Sequence, residues 1–417
     1  MDNKNMLYAP ILLSLALILS SGCLSGSNNV PPVSSGDVSG AADGNNRFAL
    51  DYYSKTKDSG GNVFFSPWSI SSALAMTYEG ARGKTADEMA SVMHFQTDSD
   101  LRRSSFSSLY DSFNSKDAGY VLSTANALWV QKDYQLLKDY TGTVETYYRG
   151  AASNVDYGNT EEARQTINAW VEDKTNSKIK DLIPQGVLDE KTKLVLTNAV
   201  YFKGIWVKEF NKGNTREENF RTEWGKNVVV QMMQRTDENS TFGYAETQDL
   251  QILDMPYNGG KISMMILLPR QDNQLPSLEK TLTAENLRGW KSDLKEQRVD
   301  VYIPKFKFDT KYFMAKDLRD MGMNAAFSAA DFSGMTGQKD LSISEVIHQA
   351  YVEVNEEGTE AAAATAVIMK ESASPYERPS PTIPVFRANH PFIFLIQDKE
   401  TGAILFMGKM SDPGNAG

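Results

Sequence analysis

The sequence predicts an α+β fold in which helices and strands are segregated along the chain instead of alternating. Three observations carry this. Helical signals crowd the first third, β-branched and aromatic runs dominate the rest, and the C-terminal end reads as a hairpin. In "FFSPWSISSALAMTYEGARG" a strand end runs into a helix, with Ser66 suited to the N-cap, Pro67 to the first helical position and Gly80 to the stop. "TADEMASVMHF" offers a capping box from Thr85 to Glu88. "NTEEARQTINAWVEDKT" sets Ala163, Ile167, Trp170 and Val171 on one helical face. "KLVLTNAVYFKGIWVKEF", "KISMMILLP" and "VDVYIPKFKF" then read as strands, and in the last Val299, Val301 and Ile303 alternate before Pro304. "FIFLIQDKETGAILFMGKM" is two apolar strands around a turn. No internal repeat is visible.

The chain has 417 residues and a net charge of −10, with 41% apolar residues, enough for one large core or two ordinary ones. An acidic balance argues against nucleic acid as a partner, because phosphate binding needs an excess of Lys and Arg. The start reads as a targeting segment. "APILLSLALIL", Ala9 to Leu19, is short for a membrane span, and "LSSGC" follows it. Small residues before a cysteine resemble a lipoprotein signal, with Cys23 the lipidated residue of residues 1–23. Ser20 departs from the aliphatic residue usual there, and ordinary secretion is the alternative. Cys23 is the only cysteine, so the mature domain has neither a disulfide nor a thiol nucleophile. Residues 24–46 are rich in Gly, Ser, Asn and Pro and read as a flexible tether, with the folded domain at 47–413.

Motifs of catalysis are weak. "GKT" at Gly83 to Thr85 lacks the earlier glycine of a phosphate loop, since Tyr78 stands there. G-x-S-x-G, H-E-x-x-H and C-x-x-C are absent. The three histidines, His94, His348 and His390, stand singly, with no ligand spacing that points to a metal. "NST", Asn239 to Thr241, is a formal glycosylation sequon and weak alone. The expectation is a protein that is not an enzyme and needs no metal or cofactor.

One stretch resists a single structure. "NEEGTEAAAATAVIMKESASPYERPSPTIP", Asn355 to Pro384, has helix-forming residues but no apolar stripe to pack on a core. "NVFFSPWSISSALAMTYEGARGKTADEM", "LTNAVYFKGIWVKEF", "VYIPKFKF", "EVIHQAYVEVNEEGTEAAAATA" and "ANHPFIFLIQDKETGAILFMGKMSDP", in that order, make the chain resemble the serpin family over Asn45 to Pro413. The resemblance implies three β-sheets, about nine helices and an exposed reactive loop, about 355–384. It also implies a suicide inhibitor of an extracellular serine or cysteine protease, monomeric, that traps its target as a covalent acyl complex. The cleaved loop inserts as a new strand in the main sheet, a switch that releases stored strain. The non-inhibitory members of the family, carriers or chaperones, are the alternative function.

The residues suit insertion. Thr359, Ala361, Ala363, Thr365, Val367 and Met369 form one alternate set with no charge; Glu360, Ala362, Ala364, Ala366, Ile368 and Lys370 form the other, whose charges stay solvated. Gly358 supplies freedom where the loop leaves its strand. About a dozen residues gaining ladder hydrogen bonds, at roughly 0.5–1.5 kcal/mol each, would contribute on the order of ten kcal/mol. By resemblance, Glu356 forms a salt bridge at the top of the parent strand. Ser66, Ser69, Asn198 and His348 match the family's shutter beneath the sheet's opening point, and Trp206 its breach, where insertion begins. Family spacing from Gly358 places the reactive bond between Ser372 and Ala373, with Lys370–Glu371 as the alternative. Arg378 precedes Pro379 and makes a poor site. The distance to "HPF" exceeds the family's usual one, so the register is open by a few residues.

Overall fold

The computed structural model describes residues 35–114, 119–359 and 382–415. The chain divides into two compact units, Met1–Pro31 and Pro32–Gly417, and all the described residues lie in the second. They form ten α-helices and three sheets. The helices are α1 (Ser35–Thr56), α2 (Pro67–Gly80), α3 (Gly83–Met93), α4 (Ser99–Phe113), α5 (Lys138–Tyr148), α6 (Thr160–Lys174), α7 (Leu275–Thr281), α8 (Ala284–Ser292), α9 (Ala315–Asp320) and α10 (Ser333–Thr336). No helix among the described residues is long and apolar enough to cross a membrane.

The main sheet runs β12 (Phe306–Phe313), β13 (Glu345–Asn355), β14 (Gly358–Thr359), β4 (Leu194–Ile205), β2 (Tyr120–Gln131) and β3 (Ala151–Val155). A seven-stranded sheet runs β1 (Val63–Phe65), β17 (Ile404–Met410), β16 (Phe392–Asp398), β9 (Ile262–Pro269), β8 (Leu250–Pro256), β7 (Thr241–Glu246) and β10 (Lys295–Arg298). A third holds β15 (Val385–Arg387), β11 (Asp300–Pro304), β6 (Asn227–Arg235) and β5 (Arg216–Arg221). The two larger sheets face each other across a phenylalanine core. Phe64 stacks on Phe406 at 5.2 Å and Phe394 at 5.7 Å, and Phe202 and Phe308 reach the same cluster from the main sheet. On the main sheet's other face, α6 buries Ala163, Ile167 and Val171 against Trp129, Val195 and Ile347. Trp170 stays half-buried, its ring meeting Trp129 edge-on at 5.4 Å.

Local readings hold where the chain itself decides them. Ser66 caps α2, its hydroxyl accepting from the Ser69 N–H, and Pro67 opens the helix. β16 and β17 pair as an antiparallel hairpin. Two readings are corrected. The first helix begins at Ser35, inside the stretch read as tether. Its Ala42 and Asn45 are buried, and Asn45 Nδ2 donates to the Ile404 carbonyl at 3.0 Å, so docking overrides a linker-like composition. The capping box also does not form. The helix starts at Gly83, two residues before Thr85, so both side chains serve other segments: Thr85 Oγ1 accepts from Asp331 N–H and Glu88 Oε2 from Ala325 N–H.

Candidate functional site

The main sheet has a fork at its centre. β13 and β4 pair directly and in parallel, from Glu345 opposite Val195 to Tyr351 opposite Tyr201. Beyond that pair they diverge, and β14 occupies the gap. The chain leaves β13 at Asn355, whose Oδ1 accepts from the N–H groups of Glu357 (3.0 Å) and Gly358 (3.2 Å), an Asx turn. It then returns antiparallel to both neighbours. Thr359 stands opposite Val354 and Gly204, and Gly358 opposite Asn355 and Ile205. Glycine is required at 358 because a Cβ there would lie 2.0 Å from the Gly204 carbonyl oxygen. Thr359 is 1% exposed, and its hydroxyl shares a 2.6 Å hydrogen bond with the Tyr257 hydroxyl.

Charged and aromatic groups brace the turn above the fork. The Glu356 carboxylate meets Lys305 Nζ at 2.9 Å and accepts from Thr215 Oγ1 at 2.7 Å. Burial alone would raise this carboxyl, but the bonds from Lys305 and Thr215 outweigh it and hold it below its ordinary value. Glu357 pairs with Lys212. Trp206 donates its backbone N–H to the Glu357 carbonyl (2.9 Å) and Nε1–H to that of Asn355 (3.0 Å), while stacking on Tyr257 at 4.4 Å.

Below the fork, on the core face, a polar cluster ties the closed strands together. The Ser66 N–H donates to His348 Nε2 at 3.1 Å, so Nε2 is an acceptor and Nδ1 carries the proton, donating to Asn198 Oδ1. Asn198 Nδ2 donates in turn to Ser69 Oγ (2.6 Å) and Asn126 Oδ1. His348, Asn198 and Asn126 sit directly opposite one another on β13, β4 and β2. Burial pushes the His348 imidazole down to about 3, so it is neutral. A strand entering between β13 and β4 must break the His348–Asn198 bond.

The structure thus brings together Glu356, Gly358, Thr359 and Trp206 at the fork, and Ser66, Ser69, Asn198 and His348 beneath it. Glu360, Ala361, Ala362, Ala363, Ala364, Lys370, Glu371, Ser372, Ala373 and Cys23 lie outside the described residues. Asn126, Tyr257, Lys305 and Thr215 complete the site and were not singled out from the sequence. Asn126 is a lone amide in the apolar run "TANALWV" and could have been noticed. The other three are distant in sequence and carried no local signal.

Residues 43–413 match the family described as Serpin (serine protease inhibitor). An uncharacterized serpin-like protein of Thermococcus kodakarensis is 45% identical over 370 residues, 88% of this chain and 84% of its own length. Human Serpin B3 is 40% identical over 394 residues, 89% of this chain and 99% of its own. Among solved structures, human thyroxine-binding globulin bound to thyroxine superposes with a TM-score of 0.81 at 30% identity, covering 90% of this chain and 99% of that one.

Proposed function

The chain belongs to the serpin family, and on that premise we propose that it inhibits a serine or cysteine protease stoichiometrically, by inserting its own cleaved loop between β4 and β13. The observation that carries this reading is the fork, where β14 already lies antiparallel to both strands. Cleavage C-terminal to Thr359 would free the segment to continue down the same seam. One parallel pairing would give way to two antiparallel ladders, which are slightly more stable per residue, and roughly 0.5–1.5 kcal/mol net for each added bond makes the change downhill. An acyl-enzyme formed at Ser372–Ala373, or at Lys370–Glu371, would be carried along with the loop. The intact form would be held kinetically.

The protein would work outside the cell, lipid-anchored at Cys23 or freely secreted. A carrier role, such as that of thyroxine-binding globulin for thyroxine, is the competing reading. One experiment separates the two. The protein is incubated with a protease panel, SDS-resistant complexes are sought, the cut bond is located by mass spectrometry, and the melting temperature of the cleaved form is compared with that of the intact form. An inhibitor gives a covalent complex and a sharp rise in melting temperature. A carrier gives neither, since nicking without insertion only frees chain ends.

A further inference from the structure

The turn between β6 and β7 carries the sequon Asn239–Ser240–Thr241, which the insertion reading leaves unused. An asparagine in a turn commonly spends its side-chain amide on the backbone two residues on. Here Asp237 has that role. Its Oδ1 accepts from the Asn239 N–H at 2.9 Å, and its carbonyl accepts from the Ser240 N–H at 3.0 Å. Arg235 meets the same carboxylate at 3.4 Å, and Arg298 Nη2 donates to the Thr236 carbonyl at 3.2 Å. The turn is therefore closed without the Asn239 side chain. That side chain is exposed, and its amide has no partner among the described residues. Its neighbours are tied inward: Ser240 is buried, and the Thr241 hydroxyl accepts from Lys208 Nζ.

The turn stands beside the point where the loop rejoins the fold. The Ser240 hydroxyl donates to the Val299 carbonyl at 2.6 Å, and the Val299 N–H donates back to the Ser240 carbonyl at 2.8 Å. The next residue, Asp300, donates its N–H to the Pro384 carbonyl at 2.9 Å and lies opposite Val385. Gln251 Nε2 donates to the Val385 carbonyl at 2.9 Å, so this foot of the loop is held in place. Two strand spacings and two Cα steps separate Asn239 from Pro384, at most about 18 Å.

We propose that Asn239 carries an N-linked oligosaccharide, which screens the C-terminal foot of the loop and so limits which proteases reach it. The inference rests on the extracellular, inhibitory reading above. The sugar donor is of the lipid phosphate-linked oligosaccharide class. Asn239 Nδ2 loses one proton and bonds the anomeric carbon; the bond from that carbon to the phosphate oxygen breaks, and the lipid phosphate leaves with the electron pair. Transfer precedes folding, because Lys208 occupies the sequon hydroxyl in the folded chain. A bulky, solvated sugar on an exposed turn displaces no contact of the fold. A protease that takes the loop as substrate must approach past it.

The test uses the full-length protein isolated from the cells that make it, digested and read by mass spectrometry. The peptide that holds Asn239 should be heavier by whole sugar masses. Asn239→Gln should remove that mass, and Thr241→Ser, which keeps a hydroxyl at the third position, should retain it. The rate of covalent complex formation is then compared with a protease that cuts the loop. Asn239→Gln should associate roughly two- to tenfold faster, because more orientations of approach become productive. Thr241→Ser should keep the original rate. A bare Asn239 in the isolated protein, or equal rates for the glycosylated protein and Asn239→Gln, would overturn the proposal while leaving insertion intact. A sugar on Asn239 with no covalent complex from any protease would remove the inhibitory reading, and the screening role with it.

Discussion

Thr359→Arg tests whether the fork is the entrance to the sheet. Thr359 is the last described residue before the loop, it is buried, and its hydroxyl bonds that of Tyr257 at 2.6 Å. Around it stand Val354, Gly204 and Tyr257, none of which is a carboxylate. Losing the hydroxyl contact costs about 1 kcal/mol. Forcing an unpaired guanidinium into the same slot costs several kcal/mol more. The arginine would therefore leave the slot in the intact form, and if about 3 kcal/mol of the cost of returning it falls on the insertion barrier, insertion slows on the order of 100-fold. Hydrolysis of the acyl-enzyme then wins, and the variant becomes a substrate: cut at the unchanged bond, with active protease released. The assay titrates a loop-cleaving protease against each variant, reading residual activity and the yield of SDS-resistant complex. Glu360→Arg is the control, because in an inserted strand alternation would set that side chain on the opposite face. Near-stoichiometric inhibition by Thr359→Arg, or equal damage from both substitutions, would refute the reasoning.

Three further outcomes are expected. Burial depresses the His348 pKa from 6.5 to about 3, so the unfolded state takes up its proton first as pH falls; stability is complete above about 6.5 and declines by up to about 1.4 kcal/mol per pH unit towards 3. Thermal melts between pH 7 and 4 should show this slope, and His348→Gln should flatten it; an equal slope in the variant would assign the effect to other groups. Ser372→Arg should redirect inhibition towards trypsin-like proteases, whereas a captured fragment ending at Lys370 would move the reactive bond. Cys23→Ser should release the protein from the membrane fraction, and unchanged retention would count against lipidation there.

Read alone, the sequence determined those features whose cause lies within a few residues. The Ser66 cap, the terminal hairpin and the alternating Val299, Val301 and Ile303 are all fixed by local chemistry. The five family-like segments pointed to the fold, because their order along one chain is itself information. Tertiary structure decided everything that depends on distant partners. Ser66 meets His348 across 282 positions, Thr359 meets Tyr257 across 102, and Glu356 meets Lys305 across 51. It also reversed two local readings, drawing Ser35–Asn46 into a helix and taking Thr85 and Glu88 from their capping box. A hydroxyl or carboxylate bonds whichever donor folding brings nearest. Sequence shows what such a group can do, and only the fold supplies its partner.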